Sequence, residues 1–295
     1  MNKELIFKGV GTALITPTNA NGIDFENLEK LIDVQIKEGV NALIIAGTTG
    51  EGSTLDDKEH KELLSFSKNK IAGRVPMIAG VGSNDTNYAC SLAKYACEIG
   101  VDGLLAVTPY YNKATQYGLI QSYTAIAKVS NKPIILYNVP SRTGVNIEPE
   151  TYLELSKVDN IVGIKEASGN LSKIIDTFNL VGDKLYIYSG NDDEITPLLS
   201  MGGYGVISVL SNMLPKETVD ICDSYFAGDI KKSMSLQLKY LPLIRALFSE
   251  VNPIPIKSAM AKLGYCENYL RLPLTPMDKA KEEKMFNIMK ELKLI

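Results

Sequence analysis

A lysine at the end of a short apolar run is the residue of this chain with the clearest chemical potential. The run is Ile161-Val162-Gly163-Ile164, and Lys165 follows it. In a strand, alternation places Ile161, Gly163 and Lys165 on one face and Val162 and Ile164 on the other. Burial of both faces would leave the amine in the interior, with Gly163 making room beneath it. A strand-end lysine often extends to water instead, whereas a desolvated lysine amine can form an imine with a carbonyl substrate.

Residues suited to anion binding and proton transfer follow the other apolar runs. Glycines flank Thr48 and Thr49, so the backbone there can turn sharply and direct amides and hydroxyls at one anion. The planar fork of Arg142 suits a carboxylate or a phosphate. We expect a carboxylate, because the acidic segment 189–194 would repel phosphate at the usual phosphate site of a barrel. Tyrosines that could transfer protons are Tyr110, Tyr111 and Tyr137.

The amine of Lys165 has to lose its proton before it can attack a carbonyl carbon. Deprotonating a free lysine, with a pKa of about 10.4, costs about 4–5 kcal/mol at pH 7, and burial can recover much of that free energy. A phenol and threonine hydroxyls could then relay the protons of imine formation. We expect neither a metal nor an organic cofactor, because the protonated imine itself serves as the electron sink.

The single histidine excludes several other kinds of site. His60 is the only histidine in the sequence, which excludes triads that need a second histidine, His-rich zinc sites and HExxH motifs. It follows a helix-opening segment in which Thr54 is the expected N-cap. We therefore expect His60 to be a solvated helix residue, and proton transfer must come from lysine, tyrosine, threonine or carboxylate groups.

Charge, hydropathy and cysteine usage predict a reduced, cytoplasmic protein. The 295 residues carry a formal net charge of -3 and no dense run of Lys or Arg, so we expect no nucleic-acid partner. Residues 1–8 lack the apolar core of a signal peptide, and no apolar run approaches the roughly 18 residues of a membrane helix. We therefore expect no membrane association. The cysteines are scattered, without a CxxC motif, at Cys90, Cys97, Cys222 and Cys266.

Short β-branched runs alternate with longer amphipathic segments along most of the chain. Eight such units, at a spacing of about 30 residues, predict a (β/α)8 TIM barrel, whose active site lies at the carboxyl ends of the strands. A doubly wound open sheet is disfavoured, because no GxGxxG motif follows the first run. We predict a barrel domain over 1–215, with its end as late as about 225, and a C-terminal helical domain over 216–295. The predicted strands are Val10–Thr16, Ala42–Ala46, Val75–Val81, Gly103–Thr108, Pro133–Tyr137, Ile161–Lys165, Leu185–Tyr188 and Gly205–Val209.

Several segments resemble those of the dihydrodipicolinate synthase (4-hydroxy-tetrahydrodipicolinate synthase) family, in order and over essentially the whole chain. The resemblance implies a class I aldolase-type lyase that condenses pyruvate with L-aspartate-4-semialdehyde in lysine and diaminopimelate biosynthesis. It also implies a homotetramer built as a dimer of tight dimers. The segments that carry the resemblance are Gly47–Glu51, Pro109–Tyr111, Tyr137–Gly144, Gly163–Ser168 and Asn252–Lys257.

The resemblance implies a catalytic role for four residues. Lys165 would form the imine with pyruvate, and Tyr137 would relay protons. The Thr48 hydroxyl would link Tyr137 to Tyr111, which the family contributes from the neighbouring subunit. A complete site would therefore need at least a dimer.

The resemblance also implies how the substrates are held. The loop of Thr48 and Thr49 would bind the pyruvate carboxylate, and Arg142 would bind the carboxylate of the semialdehyde. Gly190 and Ile207 would line the pyruvate pocket, mainly through backbone atoms.

Two other functions are compatible with parts of this pattern. N-acetylneuraminate lyase and the 2-keto-3-deoxy-sugar-acid aldolases share the fold, the lysine and the tyrosine, but the sugar-specific members lack an arginine corresponding to Arg142. A non-catalytic barrel that only binds ligands would tolerate loss of Lys165, Tyr137 or Thr48, and all three are present. The synthase is therefore the preferred interpretation.

Many members of the family are inhibited by lysine at the dimer interface, and the matching positions here depart from the usual pattern. Tyr88 occupies the position that usually carries an acid to pair with the effector's amino group, and Asp57 replaces a basic or aromatic residue. We therefore predict weak or absent lysine feedback. The matching positions are Gly52, Ser53, Asp57, His60, Asn84, Tyr88 and Tyr110.

Overall fold

The continuous apolar runs of the sequence form strands that are buried on both sides. In this computed structural model, which describes residues 3–295, eight parallel strands close into a barrel in the order β1-β10-β9-β8-β7-β6-β5-β4, and β2 and β3 form a separate antiparallel hairpin. This confirms the predicted TIM barrel. The strands are β1 (Gly9–Ala13), β2 (Thr18–Asn19), β3 (Gly22–Ile23), β4 (Ala42–Ile45), β5 (Met77–Gly80), β6 (Gly103–Val107), β7 (Ile134–Asn138), β8 (Ile161–Glu166), β9 (Tyr186–Ser189) and β10 (Gly205–Ser208).

Helices cover the outside of the barrel and continue as a helical tail. Their apolar faces pack on the outer surface of the strands, which is why the amphipathic segments alternate with the buried runs. The helices are α1 (Phe25–Lys37), α2 (Asp57–Ile71), α3 (Thr86–Glu98), α4 (Gln116–Val129), α5 (Pro140–Thr143), α6 (Pro149–Leu155), α7 (Leu171–Val181), α8 (Ile195–Ser200), α9 (Pro215–Phe226), α10 (Ile230–Leu247), α11 (Ile254–Lys262) and α12 (Lys279–Glu291).

The helix that follows the last barrel strand starts close to the predicted domain boundary. Helix α9 begins at Pro215 and contacts β1 and α8, so it completes the outer ring. Helices α10 to α12 follow it, and no strand occurs between residues 216 and 295. The division into domains 1–215 and 216–295 stays a prediction. No helix within residues 3–295 has both the length and the hydropathy to span a membrane.

Aromatic residues close the amino end of the barrel beneath the site. The Phe7 ring stacks on Tyr188 with 4.4 Å between centroids, and the Tyr188 hydroxyl donates to the Phe7 carbonyl over 2.6 Å. Tyr188 of β9 pairs in register with Lys165 of β8. Phe7 and Tyr188 therefore fill part of the barrel interior next to the lysine with aromatic side chains.

A register shift in β8 changes which residues face the barrel interior. The pairing of β7 with β8 skips a residue, from Ile134 opposite Ile161 to Ile135 opposite Gly163. Val162 consequently packs in the inner cluster, which is the group of apolar side chains inside the barrel that includes Ile135. Ile161 packs with Ile164 in the outer cluster, between the strands and the helices. The prediction from strict alternation was wrong for Ile161 and Val162, because a β-bulge adds one residue to one strand of a pair.

Gly163 is needed for close packing, not for space beneath the amine. A Cβ atom at this position would lie 2.8 Å from the backbone oxygen of Tyr186 and 3.5 Å from the Tyr188 ring. The predicted room under the lysine is therefore filled by the neighbouring strand. The expectation of free space was wrong, and the glycine lets β9 approach β8 closely.

His60 is buried, contrary to the prediction of a solvated residue. Helix α2 begins at Asp57 and its N-cap is Asp56, not Thr54. This start directs His60 inward, where its Nε2 donates to the Gly80 carbonyl over 3.0 Å. Burial lowers the pKa of the ring. A neutral histidine thus joins α2 to the end of β5.

A buried ion pair attaches the helical tail to the barrel. Lys257 of α11 places its Nζ 2.6 Å from Glu51 Oε1, and the two side chains are 0% and 2% exposed. The same ammonium donates to Thr18 Oγ1 over 2.7 Å, and Glu51 Oε2 accepts the backbone N–H of Arg271. These hydrogen bonds offset part of the cost of burying both charges. The pair holds the Thr48–Thr49 loop against the tail.

Replacing Lys257 by methionine is expected to destabilise the protein by about 3–5 kcal/mol, because Glu51 is left as an unpaired buried carboxylate. The measurement is the free energy of unfolding in urea. The matched control is Lys262→Met on the same helix, an exposed lysine 5.4 Å from the Phe286 ring, with an expected loss below about 1 kcal/mol. Adding Glu51→Gln to Lys257→Met should recover part of the loss. Equal effects of the two lysine substitutions would contradict this account.

Candidate active site

Barrel closure brings five of the predicted site residues to one end of the strands. Thr48 follows β4, Tyr137 lies near the end of β7, and Lys165 lies near the end of β8. Gly190 follows β9, and Ile207 lies in β10. These residues are far apart in sequence, and they meet because parallel strands of a barrel all end on the same face.

The lysine amine lies against the predicted proton-relay tyrosine. Tyr137 and Lys165 are directly paired in the β7–β8 register, so both side chains point inward. The Lys165 Nζ lies 4.2 Å from the centroid of the Tyr137 ring. The lysine is only 5% exposed and Tyr137 6%. The amine therefore lies over the face of the Tyr137 ring, and both groups are held in the barrel interior.

Burial deprotonates a large fraction of the lysine at neutral pH. Removal from water lowers the pKa of Lys165 to about 7, because the charged form loses hydration. The charge of Arg142 also lowers this pKa, whereas the nearby Asp192 carboxylate acts in the opposite direction. An ordinary lysine is protonated at this pH. Lys165 thus has the free amine that nucleophilic attack requires.

Tyr137 is a neutral phenol at the same pH. Burial raises its pKa, while the Arg142 charge and the Thr48 hydroxyl lower it. A neutral phenol can donate its proton and accept another on the same oxygen. Tyr137 therefore has the protonation state expected of a relay between the amine and Thr48.

Gly190 packs against the lysine side chain, and Ile207 lies in the barrel interior. A Cβ atom at Gly190 would lie 2.6 Å from the Ala167 Cβ and 3.2 Å from the Lys165 Cε. Ile207 is fully buried in the inner cluster that contains Tyr137 and Tyr188. A larger side chain at Gly190 would push against the lysine, so glycine keeps that side of the pocket open.

The two predicted carboxylate-binding residues both contact Asn252, which precedes α11. Asn252 Nδ2 donates to Thr49 Oγ1 over 2.9 Å, and the Asn252 backbone oxygen accepts from Arg142 Nη2 over 2.9 Å. Thr49 and Asn252 are buried, and Arg142 is exposed at the mouth. The helical tail therefore contributes directly to the arrangement of the site.

Tyr111 does not contact the other site residues within this chain. It follows β6 in a loop, its side chain is 90% exposed, and its φ of +74° is unusual for a tyrosine. A large aromatic group held in the left-handed region and pointing outward is available to another molecule. That Tyr111 contributes to the site of a neighbouring subunit stays a prediction.

One cavity joins some of the predicted site residues to residues that match the lysine-effector positions, and Lys165 is not among the residues that line it. It has a volume of about 270 Å³, and its walls include Thr48, Tyr137 and Arg142. Asp57 and Asn84 lie outside it: Asp57 pairs with Lys61 at 2.7 Å, and the Asn84 carbonyl accepts from Asn112. The effector positions that line the cavity are Gly52, Ser53, His60, Tyr88 and Tyr110.

Sequence reasoning missed two polar residues that border the site. Asp192 was treated as part of an acidic segment that repels phosphate, but it is 1% exposed and its Oδ2 accepts the backbone N–H groups of Val209 and Leu210. Asn252 was noted only as part of a matching segment in the tail. Neither position carries a local pattern that could have predicted its contacts, because the partners are distant in sequence.

Comparisons with known proteins show which family the chain is similar to. A model of the dihydrodipicolinate synthetase family matches residues 6–292. A 4-hydroxy-tetrahydrodipicolinate synthase of Caldicellulosiruptor saccharolyticus is 54% identical over 279 residues, which cover 94% of each chain. The crystal structure of dihydrodipicolinate synthase from Thermotoga maritima has a TM-score of 0.96 and 44% identity, and the match covers 99% of this chain and 100% of that one.

A second similar structure is that of a complex with pyruvate. The chloride-inhibited dihydrodipicolinate synthase from Acinetobacter baumannii, complexed with pyruvate, has a TM-score of 0.95 and 39% identity, with 99% of this chain and 100% of that one covered. The family match and the full-length similarity agree with the barrel and with the segments that suggested the resemblance. The chain belongs to the dihydrodipicolinate synthetase family.

Proposed function

We propose that this chain is a lyase that condenses pyruvate with L-aspartate-4-semialdehyde, the reaction of 4-hydroxy-tetrahydrodipicolinate synthase. The observation that carries the proposal is the buried Lys165, whose pKa of about 7 leaves a free amine beside the Tyr137 ring at neutral pH. The full-length similarity to proteins of that name supports the same activity. It favours the synthase over the sugar-acid lyases and over a non-catalytic barrel.

The first step is imine formation with pyruvate. The Lys165 Nζ attacks the ketone carbon, and the carbonyl oxygen takes up a proton to give a carbinolamine. Loss of that oxygen as water leaves the protonated imine. Tyr137 supplies and recovers the protons, with Thr48 as its neighbour in the relay. Thr49 and the amides of its loop bind the pyruvate carboxylate.

The second step forms the carbon–carbon bond. Loss of a methyl proton from the imine gives an enamine, which attacks the aldehyde carbon of the semialdehyde, and the aldehyde oxygen is protonated. Arg142 binds the carboxylate of this second substrate at the mouth of the site. The amino group of the substrate then displaces the Lys165 amine from the imine carbon, which closes the ring and restores the enzyme.

The oligomeric state, the cofactor requirement and the cellular location of the enzyme are also part of the proposal. The reaction needs no bound cofactor, because the protonated imine takes up the electron pair. Tyr111, exposed and directed outward, would complete the site of a second subunit in a homotetramer built from tight dimers. A cytoplasmic location fits a biosynthetic enzyme of this kind.

Trapping of the pyruvate imine should depend on pH with a midpoint near 7, the pKa of Lys165. The amine is protonated below this pH, so the initial rate of cyanoborohydride trapping should fall about tenfold per pH unit below the midpoint. Above it the rate should level off. A rate that keeps rising towards pH 10, as for an exposed lysine, would contradict the assigned burial effect.

Replacing Arg142 by alanine should lower kcat/KM for the semialdehyde by about 100-fold or more, because a charge-assisted bidentate contact worth roughly 3 kcal/mol is lost. Imine trapping with pyruvate should change by less than about threefold when it is measured at a pH of about 9, where the Lys165 amine is free with or without the Arg142 charge. The measurements are a coupled rate assay and trapping on the same preparations, with Arg142→Lys as the control that keeps the charge without the fork. Equal losses in both assays would show that Arg142 does not bind the second substrate.

Lysine should inhibit this enzyme weakly or not at all. The cavity wall has Tyr88 where an acid usually pairs with the effector's amino group, and the nearby Asp57 is already paired with Lys61. The measurement is the initial rate at increasing L-lysine concentration. Inhibition by sub-millimolar lysine would contradict this prediction, and Tyr88→Glu is the variant expected to increase sensitivity.

A further inference from the structure

We propose that Asn252 is a positioning residue for the first substrate, acting through the hydroxyl of Thr49. The inference rests on the proposed function, since it assigns the Thr49 hydroxyl to the pyruvate carboxylate. Asn252 comes from the helical tail, 203 residues away from Thr49 in the sequence. No role in the reaction was expected for it from the sequence.

The hydrogen bond between these residues decides the direction of the Thr49 proton. Asn252 Nδ2 donates to Thr49 Oγ1 over 2.9 Å, and both residues are buried, at 5% and 2% exposed. A hydroxyl has one proton and two acceptor positions. Because one acceptor position is filled by the amide, the proton must point elsewhere. It remains available to donate to a carboxylate.

Contacts on either side hold Asn252 in place. Its backbone oxygen accepts from Arg142 Nη2 over 2.9 Å. Five residues later, Lys257 forms the buried ion pair with Glu51, which lies two residues after Thr49. The segment 252–257 is therefore fixed at both ends against the loop and the arginine that bind carboxylates. Its amide needs no reorganisation when the substrate arrives.

The side chain of Asn252 makes a single hydrogen bond, which makes its effect measurable. Its Oδ1 is buried without a hydrogen-bond partner among residues 3–295. Removal of the side chain beyond Cβ thus deletes the contact with Thr49 and no other protein hydrogen bond of that side chain. The contact with Arg142 uses the backbone oxygen and is retained in an alanine variant.

The test is a double-mutant cycle of Asn252→Ala and Thr49→Val, with the pyruvate concentration at half-maximal imine trapping as the readout. Asn252→Ala should raise this concentration about tenfold, the loss of one oriented hydrogen bond to a charged group. KM for the semialdehyde should stay within about twofold of wild type, because Arg142 keeps its contact. The double variant should be no worse than Thr49→Val alone, since Asn252 acts through that hydroxyl.

Matched variants separate this effect from a loss of folding. Asn268→Ala, an exposed asparagine of the same tail, should leave the half-saturating concentration unchanged. If the alanine variant does not fold, Asn252→Ser takes its place. Serine is too short to reach Thr49, so the same rise in the half-saturating concentration is expected. A wild-type pyruvate dependence in the Asn252 variants, or additive losses in the double variant, would overturn the proposal. Failure of the wild-type protein to trap pyruvate would instead refute the proposed function.

Discussion

Desolvation of one amine is the constraint on which the rest of the structure depends. A lysine that remained in water would carry a proton at neutral pH, and the barrel would have no nucleophile. Burial lowers the pKa of Lys165 to about 7. This burial requires that neighbouring side chains fill the barrel interior around the lysine and exclude water from it. The stacked Phe7 and Tyr188 fill the barrel interior next to the lysine, and the absence of a side chain at Gly190 avoids a clash with it.

Two charged groups act on the pKa of this amine in opposite directions. Arg142 adds positive charge at the mouth, which lowers the lysine pKa and attracts carboxylates. Asp192 is buried nearby, and its carboxylate accepts two backbone N–H groups at the end of β10. It can offset the positive charge of the imine once that charge has formed. Burial therefore favours the free amine before the reaction, and Asp192 can stabilise a cation during it.

The helical tail has a second function beyond packing. Through Lys257 and Asn252 it contacts the loop after β4 at two points, the carboxylate of Glu51 and the hydroxyl of Thr49. A loop rich in glycine is flexible by itself, so external contacts are needed to direct its hydroxyls. Stability and substrate orientation thus depend on the same segment of the chain.

Local patterns in the sequence predicted the barrel, the position of Lys165 and the end of the barrel where the site lies. These features depend on hydrophobic periodicity and on short motifs, which are visible in one sequence. The predicted faces of Ile161 and Val162 were wrong, because a β-bulge depends on the pairing with the neighbouring strand. The role of Asn252 was missed because its partners lie more than a hundred residues away. Such details depend on contacts between segments that are far apart in the sequence, and local sequence patterns do not predict those contacts.

The central claim is that the Lys165 amine is the nucleophile that binds pyruvate. The most direct measurement is borohydride reduction of the protein with pyruvate, followed by proteolysis and mass spectrometry of the peptides. The account predicts one modified residue, Lys165, and no modification in a Lys165→Ala variant that remains folded. A reduced adduct on any other lysine, or an adduct that persists in that variant, would contradict it.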